Sequence, residues 1–518
     1  MRWLVGAKPR QWLVTICLLS VVAAQKVNAE TPESSGFVPS HAITAELDGA
    51  QLAAALSSFE EGRWIVAEAG PMQCGVRIYR YAYVTVDGIG QPTTATAALM
   101  VPDGAVPQCS GPFSVVLALH GTTPDAAYDL ADVSGSNSAG PRALAWAGIF
   151  ASRGYAVIAP NYAGFAGSEL DYHPYHDRRQ QTQDVIDALD AGRALLGNVG
   201  LSDNGKLFLT GFSQGGWVTM ATHRELEARG RTVTASMPSS GAYALAAVAD
   251  DIFLGRPVQG STIYFPLMIT AYQRAYGDIY RSVTELVTAD YAEGAENVLP
   301  SDMSWPDIVR AGRLPADDVF LSGAPALPNN ADPALAALWA IMGPEHARPH
   351  LSATNAAGIG PQALISDDIR QAWLEDMARN PDGAWPTWAD GRAASRSDLP
   401  FRRAFIRNDL RGWMPAAPLI MCAGSSDQAV PIHLGAGLMM RYWSSEGHLP
   451  PDGRVAMIDF EEAANPGDLH ARLRADHAAL RDRIVTEHGE QRWLDMYHQF
   501  ILPRYCYTAA RDWFDTMR

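Results

Sequence analysis

The stretch Gly211-Phe212-Ser213-Gln214-Gly215-Gly216 sets one serine between glycines two residues to either side. An apolar run over residues 206–210 leads into it, and a helix-compatible run over residues 217–229 follows. This reads as a strand, a tight turn and a helix with the serine at the apex. Small residues are needed at both flanking positions, because the turn is strained and the backbones on its two sides pass close together. The apex hydroxyl would stand above the end of a sheet beside a helix N-terminus, where partial positive charge favours a developing oxyanion.

A serine hydroxyl is a weak nucleophile at neutral pH. It needs a base to take its proton and a carboxylate to orient that base, and histidine suits the first task because its pKa lies near neutrality. Asp427 is the acid candidate. It follows the apolar run at residues 418–423 and Gly424, where a loop would leave the carboxyl end of a sheet. Asp459 lies inside the last strand and is a poorer one. His433 and His448 precede that last strand, at residues 455–460, whereas His470, His477, His488 and His498 follow it. His498 stands just before Pro503, which opens the terminal helix, and a base is expected in the loop between last strand and last helix. His470 and His477 remain alternatives on a helical run, with His477 on its apolar stripe. The oxyanion would be held by the backbone N–H groups of Gln214 and of Thr122, the latter in the loop His120-Gly121-Thr122. His120 itself is expected to hold that loop through a side-chain hydrogen bond.

Buried strands and helices alternate to position these groups. Residues 75–84 alternate and are rich in aromatic and β-branched types, Asp87-Gly88 marks a turn, and residues 93–101 form a second strand. Continuous apolar runs at residues 113–119 and 155–159, with further strands at 206–210 and 232–237, match strands covered on both faces. Helices are expected at 144–153, 180–196 and 503–517. The pattern predicts a mostly parallel α/β sheet with helices on both faces. Residues 30–70 read as irregular, then weakly helical over 45–58.

Alternation stops near Ser240. Residues 241–415 lack clean strands and carry helical pieces (242–254, 265–287, 333–342 and 366–379) between proline- and glycine-rich loops. That is too long for a connector, and we expect a helical lid over the strand ends, with the core formed by residues 30–240 and 416–518. Tyr264, Phe265, Tyr272, Tyr276 and Tyr280 would suit an apolar substrate channel in it.

The chain has 518 residues and a net charge of −16. Residues 1–29 carry Arg2, Lys8, Arg10 and Lys26, an apolar stretch at 12–24, and Val27-Asn28-Ala29, which fits small-x-small cleavage. They read as a signal peptide for secretion or export to the periplasm; its loss would deepen the charge to −20. The acidity argues against nucleic acid or anionic membranes as partners. No later stretch approaches about 18 apolar residues, so no membrane span is expected. Cys74, Cys109, Cys422 and Cys506 then remain, an even number compatible with two disulfides. Cys74 and Cys109 flank a strand pair and are expected to join; Cys422 and Cys506 are either a second pair or buried thiols. None has zinc-ligand spacing.

Together, Leu119-His120-Gly121, Pro160-Asn161-Tyr162-Ala163-Gly164, the serine turn, Asp427-Gln428-Ala429-Val430-Pro431 and the segment from His498 to Phe514 resemble a secreted α/β-hydrolase-fold esterase or lipase. The chain is most similar to enzymes with a long helical lid between serine and acid, such as the secretory lipase family. The resemblance implies hydrolysis of a small or lipid-like carboxylic ester through an acyl-serine, with no metal or cofactor. A serine peptidase or amidase on the same fold is the alternative, and a non-catalytic binding protein is the reading from another class.

Overall fold

The computed structural model describes residues 40–321, 358–380, 388–389, 392–393, 396–445, 447–465 and 467–518. The expected signal peptide and the expected helix at 333–342 lie outside these residues. The scaffold is a nine-stranded sheet: β1 (His41–Leu47), β2 (Gly75–Val86), β3 (Pro92–Asp103), β4 (Phe113–Leu119), β5 (Tyr155–Pro160), β6 (Asp203–Phe212), β7 (Ala235–Ser239), β8 (Leu419–Ala423) and β9 (Val455–Asp459). Their order is β1-β2-β3-β5-β4-β6-β7-β8-β9. The first three pair antiparallel, β3 meets β5 antiparallel, and every pairing from β5 to β9 is parallel. All seven residues of β4 and all six of β5 are buried, as continuous apolar runs require between two helical layers.

One face of the sheet carries α1 (Gly49–Ser57), α2 (Glu60–Ala69), α3 (Gly140–Ile149) and the C-terminal helices, and the other carries α4 (Arg178–Asn198) and α5 (Gln214–Ala228). The N-terminal reading needs correction: residues 45–47 belong to edge strand β1, not to a helix. An edge strand is exposed, so its polar and small residues hide the alternation that marks a buried one. The helix begins only at Gly49, because Asp48 caps it. The Asp48 carboxylate accepts from the N–H of Ala50 (2.9 Å) and Gln51 (2.8 Å), and the Gln51 side chain accepts from the Asp48 N–H (2.9 Å).

Between β7 and β8 lies a second core, built on α6 (Leu245–Phe253), α7 (Ser261–Tyr276), α8 (Asp367–Arg379) and α9 (Pro400–Arg407). Three of these helices meet at a buried ion cluster that the sequence does not announce. Arg402 grips Asp250 with two parallel hydrogen bonds of 2.9 Å, reaches Asp376 at 2.9 Å and donates to the Asn380 carbonyl at 2.7 Å. Trp373 adds an N–H to Asp250 at 2.8 Å. A buried charge stripped of its partner costs far more than the pair contributes. Asp250→Ala should therefore lower unfolding stability by about 3–5 kcal/mol, read as a reduced denaturant midpoint at unchanged m-value.

After β8 come α10 (Ala436–Ser445), α11 (Ala471–His488), α12 (Glu490–Met496) and α13 (Leu502–Asp515). Helix α13 packs on the sheet through Cys506, Ala509, Ala510 and Phe514, and Phe514 stacks on Phe208 with centroids 4.7 Å apart. Trp513 is only half-buried. Disulfides join Cys74 to Cys109 and Cys422 to Cys506, so the second pair of cysteines is also bonded. The latter bond ties α13 to β8. Both are compatible with an oxidising compartment. No helix among the described residues is long and apolar enough to cross a membrane.

Candidate active site

Ser213 sits at the junction of β6 and α5 with φ 61° and ψ −122°, a conformation a non-glycine residue holds only when its surroundings impose it. Those surroundings are backbone. A Cβ on Gly215 would overlap the Leu119 carbonyl, and one on Gly211 would overlap the Gly215 carbonyl. The Ser213 N–H donates to the Ser239 carbonyl at 2.9 Å, and its own carbonyl accepts from Trp217 at 3.1 Å. The hydroxyl is thus carried at the carboxyl end of β6, at the cap position just before a 15-residue helix.

Of the candidate bases, His498 is the one beside this serine. Its Nε2 lies 2.8 Å from Ser213 Oγ, and its Nδ1 lies 2.9 and 2.8 Å from the two carboxylate oxygens of Asp427. The carboxylate fixes the proton on Nδ1, which leaves the Nε2 lone pair facing the serine hydroxyl. Asp427 is buried and accepts three further bonds. The N–H groups of Ala429 and Val430 both reach Oδ1 at 2.9 Å, and the Ser240 hydroxyl donates to Oδ2. Ser240 is a partner that sequence reasoning missed; its signal was its place one residue past β7, next to the strand ends.

His470 and His477 stand elsewhere. His477 is buried against the rings of Phe460, Trp493, Tyr497 and Tyr505, and burial pushes its pKa down to about 4. His470 is buried at the N-terminus of α11. The setting of His498 differs from expectation. It lies in a π-helical turn, Tyr497–Ile501, between α12 and α13, and the Leu502 N–H reaches back to the Tyr497 carbonyl. Pro503 in the first turn of α13 has no N–H and would crowd the carbonyl four residues earlier; the wider turn supplies the room.

The loop after β4 lies against the serine, since a Cβ on Gly121 would touch the Phe212 carbonyl (3.2 Å) and Ser213 Cβ (3.4 Å). Thr122 lines the cleft with Ser213 and His498, and Gln214 opens α5, where a first-turn N–H has no intrahelical acceptor. His120 is buried, with its ring nitrogens 2.7 Å from the Gly121 carbonyl and 3.1 Å from that of Asn161, and its ring stacked on Tyr162. Burial brings its pKa to about 4. The side chain of Thr122 is tied to the Tyr175 hydroxyl at 2.8 Å. Downstream, the Ser301 N–H donates to the Pro124 carbonyl (2.7 Å) and the Ala126 N–H to the Ser301 carbonyl (2.9 Å), which fastens this loop to the segment between β7 and β8.

Two depressions meet at Ser213. One is an apolar cavity walled by α6 and α7, with Leu245, Ala249, Phe265 and Met268 among its lining. The other is a more polar cleft, bounded by Thr122, His498 and Phe500. Tyr264 and Ala429 line both. Of the five aromatics singled out in the sequence, Tyr264 and Phe265 line the cavity. Tyr272 packs on Phe405, Tyr276 donates to Asp177 at 2.6 Å, and Tyr280 donates to Glu296. Among the described residues, no group of three or more His, Cys, Asp or Glu is arranged to hold a metal.

The sheet order, the helices on both faces and the serine turn at the end of the central strand define the α/β-hydrolase fold. Comparison with known proteins agrees. Residues 145–248 match the prolyl oligopeptidase family. The structure is similar to that of the rice cell wall degrading esterase LipA from Xanthomonas oryzae in a ligand-bound form, with 22% identity, a TM-score of 0.63, and coverage of 92% of this chain and 98% of that one. It is also similar to a putative hydrolase from Legionella pneumophila, with 17% identity, a TM-score of 0.59, and coverage of 87% and 98%. No curated protein matched the sequence.

Proposed function

We propose that the protein is an exported carboxylic ester hydrolase working through Ser213, His498 and Asp427. The observation that carries this reading is the relay Ser213 Oγ to His498 Nε2 at 2.8 Å, with Asp427 at 2.8 Å on the far nitrogen. His498 takes the Ser213 proton as Oγ attacks the ester carbonyl carbon, and Asp427 stabilises the imidazolium that forms. The N–H groups of Gln214 and Thr122 hold the oxyanion of the tetrahedral intermediate. His498 then gives the proton to the leaving alkoxide, and the alcohol departs from an acyl-Ser213. Water, deprotonated by His498, attacks the acyl carbonyl; the proton returns to Ser213 as the acid leaves. Nothing in this sequence of steps draws on a metal or cofactor.

An ester with an apolar acyl group suits the cavity walled by α6 and α7. In this reading residues 241–415 are a helical lid that covers the acyl chain, and residues 1–29 are a cleaved signal peptide. The cell-wall-degrading esterase with the same fold supports an ester substrate. The match to the prolyl oligopeptidase family favours the second reading, a serine peptidase or amidase. A panel of nitrophenyl esters and aminoacyl anilides separates the two. Ester turnover well above anilide turnover is expected; fast anilide cleavage with negligible ester cleavage would reverse the order.

A further inference from the structure

Helices α7 and α9 serve two depressions. Phe265, Met268 and Phe405 line the apolar cavity beside Ser213, whereas Tyr276, Arg403 and Arg407 line a separate cleft of about 680 Å³. Helix α4 and the end of α5 add Arg178, Arg179, Arg224 and Arg229 to its walls. Six arginines thus meet in one cleft of a chain whose net charge is −16.

Three carboxylates line the cleft too, and each is already engaged. Asp409 is buried against Arg411, with bonds of 2.9 and 2.8 Å, and Glu225 accepts from Arg229 at 2.9 Å. Asp87 accepts from the N–H groups of Ile89 (3.0 Å) and Gln91 (2.7 Å). Arg178 and Arg407, by contrast, have no carboxylate partner among the described residues, and Arg179 bonds the Gly88 carbonyl instead. Cations gathered without counter-charges repel one another, and a bound anion relieves that repulsion.

The floor of the cleft is fixed. Tyr276 donates to Asp177 at 2.6 Å and accepts from the Asn408 amide at 2.9 Å, and Asn408 Oδ1 accepts from the Arg178 N–H at 2.9 Å. These bonds tie the start of α4 to the ends of α7 and α9. Arg407 lies over the Tyr276 ring, 5.2 Å from its centroid. Along α4 the rise from Arg178 to Gln183 is about 7.5 Å, and Gln183 accepts from Arg229 at 2.8 Å. The cationic wall is therefore longer than one phosphate or carboxylate can span.

We propose that this cleft binds a small molecule carrying two or more carboxylate or phosphate groups, with Arg178, Arg179 and Arg407 as its main partners. Guanidinium forks match either group, two hydrogen bonds at a time. A neutral ligand would leave the positive charge unanswered, and a cation would be repelled. The proposal is independent of the bond that Ser213 cleaves.

The test is titration calorimetry on the full chain at low ionic strength, with citrate and inositol hexakisphosphate as probes and acetate as the single-charge control. Saturable binding of at least one polyanion is expected, with a rise in melting temperature; the tighter of the two names the anionic group. The double variant Arg178→Gln with Arg407→Gln should weaken that binding by about 10-fold or more. Arg407→Glu alone, at an exposed side chain, should weaken it by a similar factor should the double variant fail to fold. Arg483→Gln with Arg492→Gln removes the same charge from exposed positions outside the cleft and should leave the affinity unchanged. No saturable binding of either polyanion overturns the proposal, as does an equal loss in the cleft variants and in the Arg483/Arg492 control.

Discussion

Ser213→Ala should abolish labelling by a fluorophosphonate and lower kcat on nitrophenyl esters by roughly 10⁶-fold, with the melting temperature little changed. On the proposed reading the loss is large because Oγ is the atom that bonds the ester carbon. The conformation of the turn is set by backbone contacts at Gly211 and Gly215, so removing the hydroxyl leaves it in place. His498→Ala alone should cost nearly as much, and the double variant little more than either, since nucleophile and base act as one unit. A residual activity within about 100-fold of wild type would move the nucleophile elsewhere.

Asp427→Asn should lower kcat by roughly 10⁴-fold without unfolding the protein. The hydrogen bonds around the carboxyl dictate why. Oδ1 accepts two backbone N–H groups, from Ala429 and Val430, so an asparagine must keep its oxygen there. Its amide nitrogen then falls at the Oδ2 position, 2.8 Å from His498 Nδ1. The Ser240 hydroxyl can turn to accept from it, and the amide N–H facing His498 Nδ1 favours the ring protonated on Nε2, in competition with an Nδ1–H bond to the retained oxygen at 2.9 Å. A ring protonated on Nε2 has no lone pair for the Ser213 proton. Activity close to wild type in a folded Asp427→Asn protein would exclude this relay.

How legible this was in the sequence depended on how local the governing contacts are. The serine turn is readable because backbone crowding demands glycine at fixed offsets, and β4 and β5 because burial on both faces leaves only apolar residues. Asp427 was singled out from the apolar strand and Gly424 before it, and the structure places it beside His498. The two cysteine pairs were readable to different degrees: Cys74 and Cys109 flank one pair of strands, whereas Cys422 and Cys506 lie 84 residues apart and meet only through folding. Edge strand β1 was hidden by its exposure. The cluster of Asp250, Asp376 and Arg402 was hidden because its members come from three separate helices. The same applies to Ser240, 187 residues from Asp427. His498 was singled out by position, but periodicity carries no sign of a hydrogen bond spanning five residues, so its π-helical setting was not.

That turn makes one stretch of surface unusually sensitive to length. Gln499 and Phe500 are exposed, and a change of either side chain should leave the fold intact. Deleting either is another matter. A π-turn is an α-helix with one residue too many, and its loss would rewind α12 against α13 by about 100°. Neither helix is free to follow, for Trp493 is buried in the core and Cys506 is bonded to β8. The rotation would fall on the imidazole between them, so a single surplus residue serves as the spacer that aims the ring.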